Sequence, residues 1–429
     1  MKIAIISDLH LNISIYKGVM DKNYPTIPFR QADMMRSFKW MCQKCINDIK
    51  PDIIVIAGDV YDNHVNVSDT IRGFFSSQLK KLADNNIQTY ILIGNHDVCM
   101  RNHVLQDIGD LKLEETRVIE KPTDIVFKNE TRLLLFPYSL DVERKKIKIK
   151  DELKNFIKEV HIDTTLEPLM FCGHFPVQKA KMNEYNDVKA LKEIRETTDT
   201  TTTLSEKDIK KKEFRNTNPN DISNEDLDSI GVPYVLLGDL HEHQVLETQK
   251  CYSMYTGSIE KSDMTEIKQV KGFVLYDSDE EKIDKYGKCR FIEYPNCRPI
   301  IEMKGTLTSI RKEFSELDHS QYQGAIVKIT FNGTTEEQTD FSAGLEGFKR
   351  EVKAEIDPIH LFHFQAVKDP EQDLMVSELE KEIMNKGHLS DQDVIDVVKE
   401  IIKERIEDKK EVDEIIKLAI EIHEEVNGA

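Results

Sequence analysis

"TYILIGNHD", Thr89 to Asp97, sets an aliphatic run against a glycine, an amide, an imidazole and a carboxylate. A run of β-branched and aliphatic residues without polar alternation reads as a strand covered on both faces, as in a buried parallel sheet. The polar residues that close it read as a loop at the strand's carboxyl end. Four other stretches share this grammar: "KIAIISDLH" from Lys2, "PDIIVIAGDV" from Pro51, "LMFCGHF" from Leu169 and "YVLLGDLHEH" from Tyr234. Between the first strands lie two helical patterns, "QADMMRSFKWMCQKCINDIK" (Gln31–Lys50) and "VSDTIRGFFSSQLKKLADNN" (Val67–Asn86), the second with Ser68 as N-cap and Asn85-Asn86 as stop. Strand and helix in alternation predict an α/β fold. In such folds ligands gather beyond the carboxyl ends of the strands. Asp8, His10, Asp59, Asn95, His96, Asp97, His174, Asp239 and His241 are therefore expected to converge.

The chain has 429 residues, 39% of them hydrophobic and 32% charged, enough for two or three domains with their own cores. Its apolar runs fall short of the roughly 20 residues a bilayer span needs. The opening "MKIAIISDLH" is a strand pattern without a signal-peptide layout, so the expectation is a cytoplasmic protein away from membranes. The seven cysteines are scattered and read as reduced thiols. Cys42 and Cys45 form a C-x-x-C without a second pair, so buried thiols are the better reading than zinc. A net charge of −19 disfavours a nucleic-acid ligand, but residues 371–429 alone carry 18 acidic against 8 basic residues. Basic clusters such as "ERKKIKIK" (Glu143–Lys150) remain able to meet phosphates.

Residues 196–226 are polar and Thr-rich and read as a flexible surface excursion within a first domain spanning 1–298. From 299 to 370 the pattern, "IIEMKGTLTSIRKEF" then "GAIVKITFNG", suggests a small α+β domain. From 371 to 429 the chain reads as a helical tail, with a Ser390–Asp393 capping box and two apolar stripes suited to a partner groove.

Each motif alone is weak, since Asp-x-His or Gly-Asp after a strand is usually a solvated turn. Jointly, D-x-H, G-D, G-N-H-D, G-H and G-x-x-H in this order point to a dinuclear metal site. Carboxylate, imidazole and amide donors without thiolate suit Mn²⁺, with Fe²⁺ or Mg²⁺ as alternatives. Two such ions clamp a phosphoryl oxygen and activate water for in-line attack. A carboxylate between them offsets their repulsion, and Asp59 is the candidate.

Together these motifs resemble the calcineurin-like metallophosphoesterases. "GDVYDN", "GNHD" and "YTGSIEKSDMTE" look like the SbcD-type DNA exonuclease subunits, phage recombination nucleases among them. The resemblance implies a four-layer α/β sandwich with a small capping domain that guides DNA and C-terminal helices that bind an SbcC-like SMC-type ATPase. It implies an exonuclease on duplex ends, with endonuclease action on single strands, in DNA recombination, repair or replication; a homodimer is left open. On this resemblance Asp8 and His10 bind one metal, Asp59 bridges, Asn95 and His174 bind the second, and His241 is a further ligand.

The last motif of the family reads G-H-x-H, whereas this chain has Gly238, Asp239, Leu240, His241. Asp239 keeps the backbone register and is the favoured ligand, His243 is the alternative, and Asp239 orienting His241 from behind is a third reading. His96 matches the histidine beside the scissile phosphate, with Asp97 expected to hold its imidazole. His64 and His103 match no ligand position and read as surface histidines. A phosphoesterase for cyclic nucleotides or phosphoproteins, and a scaffold that has lost a metal, are the competing functions.

Overall fold

The computed structural model describes residues 1–14, 19–64, 67–99, 102–127, 131–138, 148–162, 169–178, 180, 222–333 and 335–367. The chain divides into two compact units, Met1–Cys297 and Arg298–Ala429.

The first unit carries strands β1 (Lys2–Ile6), β2 (Ile53–Ala57), β3 (Gln88–Leu92), β4 (Thr116–Ile119), β5 (Thr123–Val126), β6 (Arg132–Phe136), β7 (Met170–His174), β8 (Tyr234–Gly238), β9 (Gln244–Val245), β10 (Tyr252–Tyr255), β11 (Gly272–Asp277) and β12 (Cys289–Glu293). Its main helices are α1 (Phe29–Lys44), α2 (Asp69–Ala83), α3 (Ile149–Ile162) and α4 (Asn224–Asp228). One sheet has the order β12-β11-β1-β2-β3-β4 and the other β9-β10-β8-β7-β6-β5. In the first, β1 to β4 are mutually parallel. In the second, β6, β7, β8 and β10 are.

Side-chain alternation explains the layering. Ile3, Ile5, Ile53, Val55 and Leu92 from one sheet meet Leu133, Leu135, Cys172 and Leu236 from the other in a core between the sheets. The intervening Ala4, Ile6, Ile54, Ile56 and Ile91 face the opposite way, onto Met34, Phe38 and Met41 of α1 and Phe75 and Leu79 of α2. Leu134, Phe136, Phe171 and Val235 likewise pack on Leu153 and Phe156 of α3 and Leu227 of α4. Helix, sheet, sheet, helix is the four-layer α/β arrangement expected. Because each central strand is covered on both faces, its sequence shows no polar alternation.

Local signals behave as their chemistry dictates. Ser68 caps α2, its hydroxyl accepting from Ile71 N, and past the helix end Asn86 adopts φ 56°. Cys42 and Cys45 are buried free thiols, and burial pushes Cys45 up to about 12. The polar excursion ends earlier than residue 226. Ile222 is buried, and Ser223 and Asp226 form a reciprocal capping box on α4. The excursion as far as residue 221 lies outside the described residues.

The second unit runs β13 (Ile300–Gly305), α5 (Leu307–Ser315), β14 (Ile326–Gly333), α6 (Thr335–Ile356) and β15 (His360–Val367). Helices and strands alternate rather than segregate, and the three strands are parallel in the order β13-β14-β15. Parallel neighbours need a crossover, which α5 and α6 supply. Met303, Ile329 and Phe331 of the sheet bury against Ile310 and Phe314 of α5 and Phe341, Phe348 and Val352 of α6. The terminal helices expected over 371–429 lie outside the described residues. No described helix is long and apolar enough to cross a membrane.

Leu236, fully buried between the two sheets, tests this layering. Leu236→Ala is expected to cost about 2–5 kcal/mol of stability, read from urea unfolding followed by circular dichroism. A loss near zero would mean that the sheets do not pack face to face there.

Candidate metal centre

The parallel strands of both sheets end at one rim, and their carboxyl-terminal loops supply the polar residues. Asp8 and His10 follow β1, Asp59 follows β2, Asn95 and His96 follow β3, His174 closes β7, and Asp239 and His241 follow β8. Four of these adopt left-handed backbone angles: Asp8 at φ 53°, His10 at 41°, Asp59 at 52° and Asp239 at 98°. Such conformations cost on the order of 1–3 kcal/mol each for a non-glycine residue, so the surroundings must impose them. Interlocked loops do so. Asp8 N donates to Gly58 O at 3.1 Å, and Leu9 N and His10 N both donate to Asp59 O, at 2.8 and 3.1 Å. Glycine is needed where these loops touch. A Cβ on Gly94 would lie 2.0 Å from Asp59 Oδ1, and one on Gly58 (φ 93°) would lie 2.1 Å from His174 Nδ1.

Asp59 stands at the middle. Its Oδ1 accepts the His96 main-chain N–H at 3.0 Å. Its Oδ2 lies 3.4 Å from His174 Nε2 and 3.9 Å from His10 Nε2. One oxygen thus faces two donor sets. On one side are Asp8, His10 and His241, which can jointly hold an ion. On the other, His174 Nε2 is 2.9 Å from Asn95 Oδ1 and 3.8 Å from Asp239 Oδ1.

The tautomers follow from what each Nδ1 meets. His174 Nδ1 lies 2.8 Å from the carbonyl oxygen of Ala57, which can only accept. His241 Nδ1 lies 2.7 Å from Glu266 Oε1. Both must therefore carry a proton on Nδ1, so that Nε2, once it has lost its own proton, turns a lone pair to the rim. His10 Nε2 and His241 Nε2 face each other at 3.0 Å, two ring nitrogens competing for one position. Buried His10 Nδ1 lies 3.3 Å from Asp62 Oδ1 but outside hydrogen-bond geometry. Opposed lone pairs and clustered carboxylates without thiolate fit divalent cations.

In the metal-free chain protons take up part of this role. Burial disfavours an ionised Asp59, but His174, His10 and His96 hold it far below the usual carboxylate range. Burial, with Asp59 and Asp8 adding to it, pushes Asp239 up to about 6 despite His174. Burial opposes a charged His241, yet Glu266 carries it up to about 9. His174 is raised well above its ordinary value because Asp59, Asp239 and Asp8 outweigh its burial.

The structure brings Asp8, His10, Asp59, Asn95, His96, His174, Asp239 and His241 to one rim, and it separates two expected residues from it. His243 is engaged elsewhere: Nδ1 lies 2.8 Å from Tyr255 O, Nε2 is 3.2 Å from the Tyr286 hydroxyl, and the ring stacks on Phe291. Asp97 does not hold the His96 imidazole. Its carboxylate is buried under the loop and accepts from the N–H groups of Val60, Tyr61 and Gly94. The main-chain oxygen of Asp62, 2.8 Å from His96 Nδ1, orients that ring instead. His96 itself is exposed. His103 is buried and lies 3.3 Å from Glu120, so it is not a surface histidine. Glu266, Ser262 and Asp62 are neighbours of the centre that the sequence reading does not single out, although the first two lie in "YTGSIEKSDMTE" and the third in "GDVYDN".

The family model for calcineurin-like phosphoesterases matches residues 1–243. The chain is 28% identical over 159 residues to the DNA double-strand break repair protein Mre11 of Methanocaldococcus jannaschii, a match covering 37% of this chain and 40% of that one. It thus spans about two fifths of that relative's length. It is 23% identical over 289 residues to the SbcD component of the SbcCD nuclease of Staphylococcus epidermidis, covering 66% of this chain and 67% of that one. Among solved structures, a dimetal phosphatase from Danio rerio aligns with a TM-score of 0.33 at 12% identity, over 64% of this chain and 91% of that one.

Ligation requires deprotonated donors, so ion binding must displace the protons held by His241, His174 and Asp239. Affinity for Mn²⁺ is expected to rise with pH from about 6, where Asp239 titrates, through about 9, where His241 does. Calorimetric titration in buffers of different ionisation enthalpy should show two ions bound and protons released. A single ion, or binding independent of pH, would contradict this donor set.

Proposed function

The chain belongs to the calcineurin-like phosphoesterase family, and on that footing we propose that it is a two-metal-dependent DNA nuclease. The carrying observation is Asp59 Oδ2, which faces both donor sets with exposed His96 beside it. The fold and these donor groups imply divalent metal ions. DNA as substrate is supported by the relatives named for double-strand break repair and for a nuclease component. We assign exonuclease action on duplex ends, endonuclease action on single strands, and a role in recombination, repair or replication.

In this reading Asp8, His10 and His241 would hold one ion, Asn95, His174 and Asp239 would hold the other, and Asp59 would be shared between them. His243, with both nitrogens satisfied away from the rim, is not a ligand. With the shared Asp59, two carboxylates and an amide oxygen against a single imidazole make the second set oxygen-rich, which favours Mn²⁺ or Mg²⁺ over softer ions. When bound, the ions supply charge stabilisation on the phosphoryl group and lower the pKa of water. The protein does the rest. His96, held through Nδ1 by the Asp62 carbonyl, presents Nε2 to the leaving oxygen, stabilising its charge and donating a proton. Partial desolvation by its neighbours disfavours its charged form, but Asp59 and the Asp62 contact raise its pKa and keep that proton available.

Residues 299–370 are assigned to capping and guiding DNA, and 371–429 to binding an SbcC-like ATPase. The support for the tail is its acidic, amphipathic sequence and the relative from the SbcCD nuclease.

His96→Ala should keep both ions, counted by calorimetry, while slowing Mn²⁺-dependent cleavage of end-labelled duplex DNA by about 10²–10⁴-fold. Near-normal cleavage would remove His96 from the mechanism, and faster turnover of cyclic nucleotides or phosphoproteins than of DNA would replace the substrate. Deleting residues 375–429 should abolish co-purification of an SbcC-like ATPase and leave Mn²⁺-dependent cleavage intact. Co-purification that survives the deletion would place the partner site elsewhere.

A further inference from the structure

Behind His241 lies a closed polar network that the proposed chemistry does not use. Glu266 and Lys271 form an ion pair at 2.8 Å with both side chains fully buried. Glu266 turns Oε1 to His241 Nδ1 at 2.7 Å and accepts from the Ser262 hydroxyl on the same oxygen at 2.5 Å. Its Oε2 accepts the Ser262 main-chain N–H at 2.7 Å. Lys271 Nζ also donates to the main-chain oxygen of His241 at 3.0 Å, to Ser258 Oγ at 2.8 Å and to Gln269 Oε1 at 2.8 Å. Lys271 therefore grips His241 twice, through its backbone and through the carboxylate that holds its ring.

A buried ion pair is weak support for stability, since apolar residues of the same volume often serve as well. Its retention needs another account, and its placement supplies one. The other two imidazoles assigned as ion ligands have softer backing. His174 meets a neutral carbonyl, and His10 has a carboxylate at 3.3 Å out of hydrogen-bond geometry. Of the three, His241 alone has Nδ1 hydrogen-bonded to a fully buried carboxylate that is itself ion-paired with a lysine. A carboxylate behind an imidazole fixes the tautomer and makes the opposite nitrogen a stronger donor.

We propose that Glu266 and Lys271 are a positioning pair that selectively strengthens the ion position formed by Asp8, His10 and His241. The inference rests on the two-metal reading of the centre. It predicts an asymmetry: loss of the Glu266 charge weakens one position and spares the one formed by Asn95, His174 and Asp239. Glu266→Gln keeps the shape and one acceptor oxygen for His241 Nδ1, removes the charge, and turns the position that faces Lys271 and the Ser262 main-chain N–H into a donor.

The test titrates Mn²⁺ into the full chain by calorimetry and reads occupancy of each position by anomalous scattering at sub-saturating Mn²⁺. Glu266→Gln should weaken the His241 position by about 10–100-fold with the other unchanged. If that variant does not fold, Glu266→Gln/Lys271→Met removes both charges and leaves no uncompensated buried ion; the same selective loss is expected. A variant whose metal-free melting temperature falls while both affinities hold would reduce the pair to structural glue and overturn the proposal. Equal weakening of both positions would overturn it as well. Failure of the unmodified chain to bind two ions would instead overturn the two-metal reading itself.

Discussion

The rim cannot be neutral and well ordered without something positive in it. Asp8, Asp59 and Asp239 bring three carboxylates together where water is largely excluded, and His10, His174 and His241 add ring nitrogens. Two like charges about 4 Å apart at an effective dielectric of about 20 repel by roughly 4 kcal/mol. In the metal-free chain protons reduce that repulsion: Asp59, Asp239 and Asp8 raise His174 against its burial, burial together with Asp59 and Asp8 raises Asp239, and Glu266 raises His241. A bound cation would do the same through the lone pairs of several donors at once, where a proton is held by one or two. Asp59 is the pivot: one oxygen is tied to the backbone of the β3 loop, leaving the other to face both donor sets.

That arrangement accounts for the costs elsewhere in the fold. Left-handed backbone at Asp8, His10, Asp59 and Asp239 is unfavourable in isolation, and Gly58 and Gly94 lose more conformational entropy on folding than other residues would. The three apolar layers of the first unit supply the offset, holding the strand ends so firmly that the loops have little choice. Asp97 belongs to this support. Its buried carboxylate ties the β2 loop to the β3 loop through three main-chain donors. Strain and order are thus opposite ends of one design, with apolar strands forcing polar tips into a geometry they would not adopt alone.

Much of this is legible in the sequence because it is local. Fully apolar strands announce sheets covered on both faces, and polar residues at their ends announce a common rim, so the donors group from the sequence alone. What escapes depends on chain return. Glu266, Ser262 and Lys271 reach His241 only because the segment after β10 folds back beside it. Asp97 escapes because adjacency to His96 in sequence does not make a contact: the turn sends the two side chains opposite ways. His103 reads as exposed because the small hairpin that buries it pairs Val98 with His103 through contacts that leave no periodic trace. His243 looks available two residues past His241, but the stack on Phe291 depends on a strand nearly fifty residues later.

Asp239 bears on what kind of ion this centre suits. Exchanging an imidazole for a carboxylate at this register adds charge to a buried place, and burial pushes the group up to about 6. The exchange is unfavourable for the empty rim and favourable for a filled one, because the carboxylate is most stable when paired with a dication. Under the proposed assignment the two positions then differ in kind. One has two imidazoles, with His241 backed by Glu266, and the other has one imidazole among oxygens. Softer donors on one side and harder ones on the other make the positions unequal in affinity and in preferred ion, so filling them in sequence is the natural consequence of the side chains present.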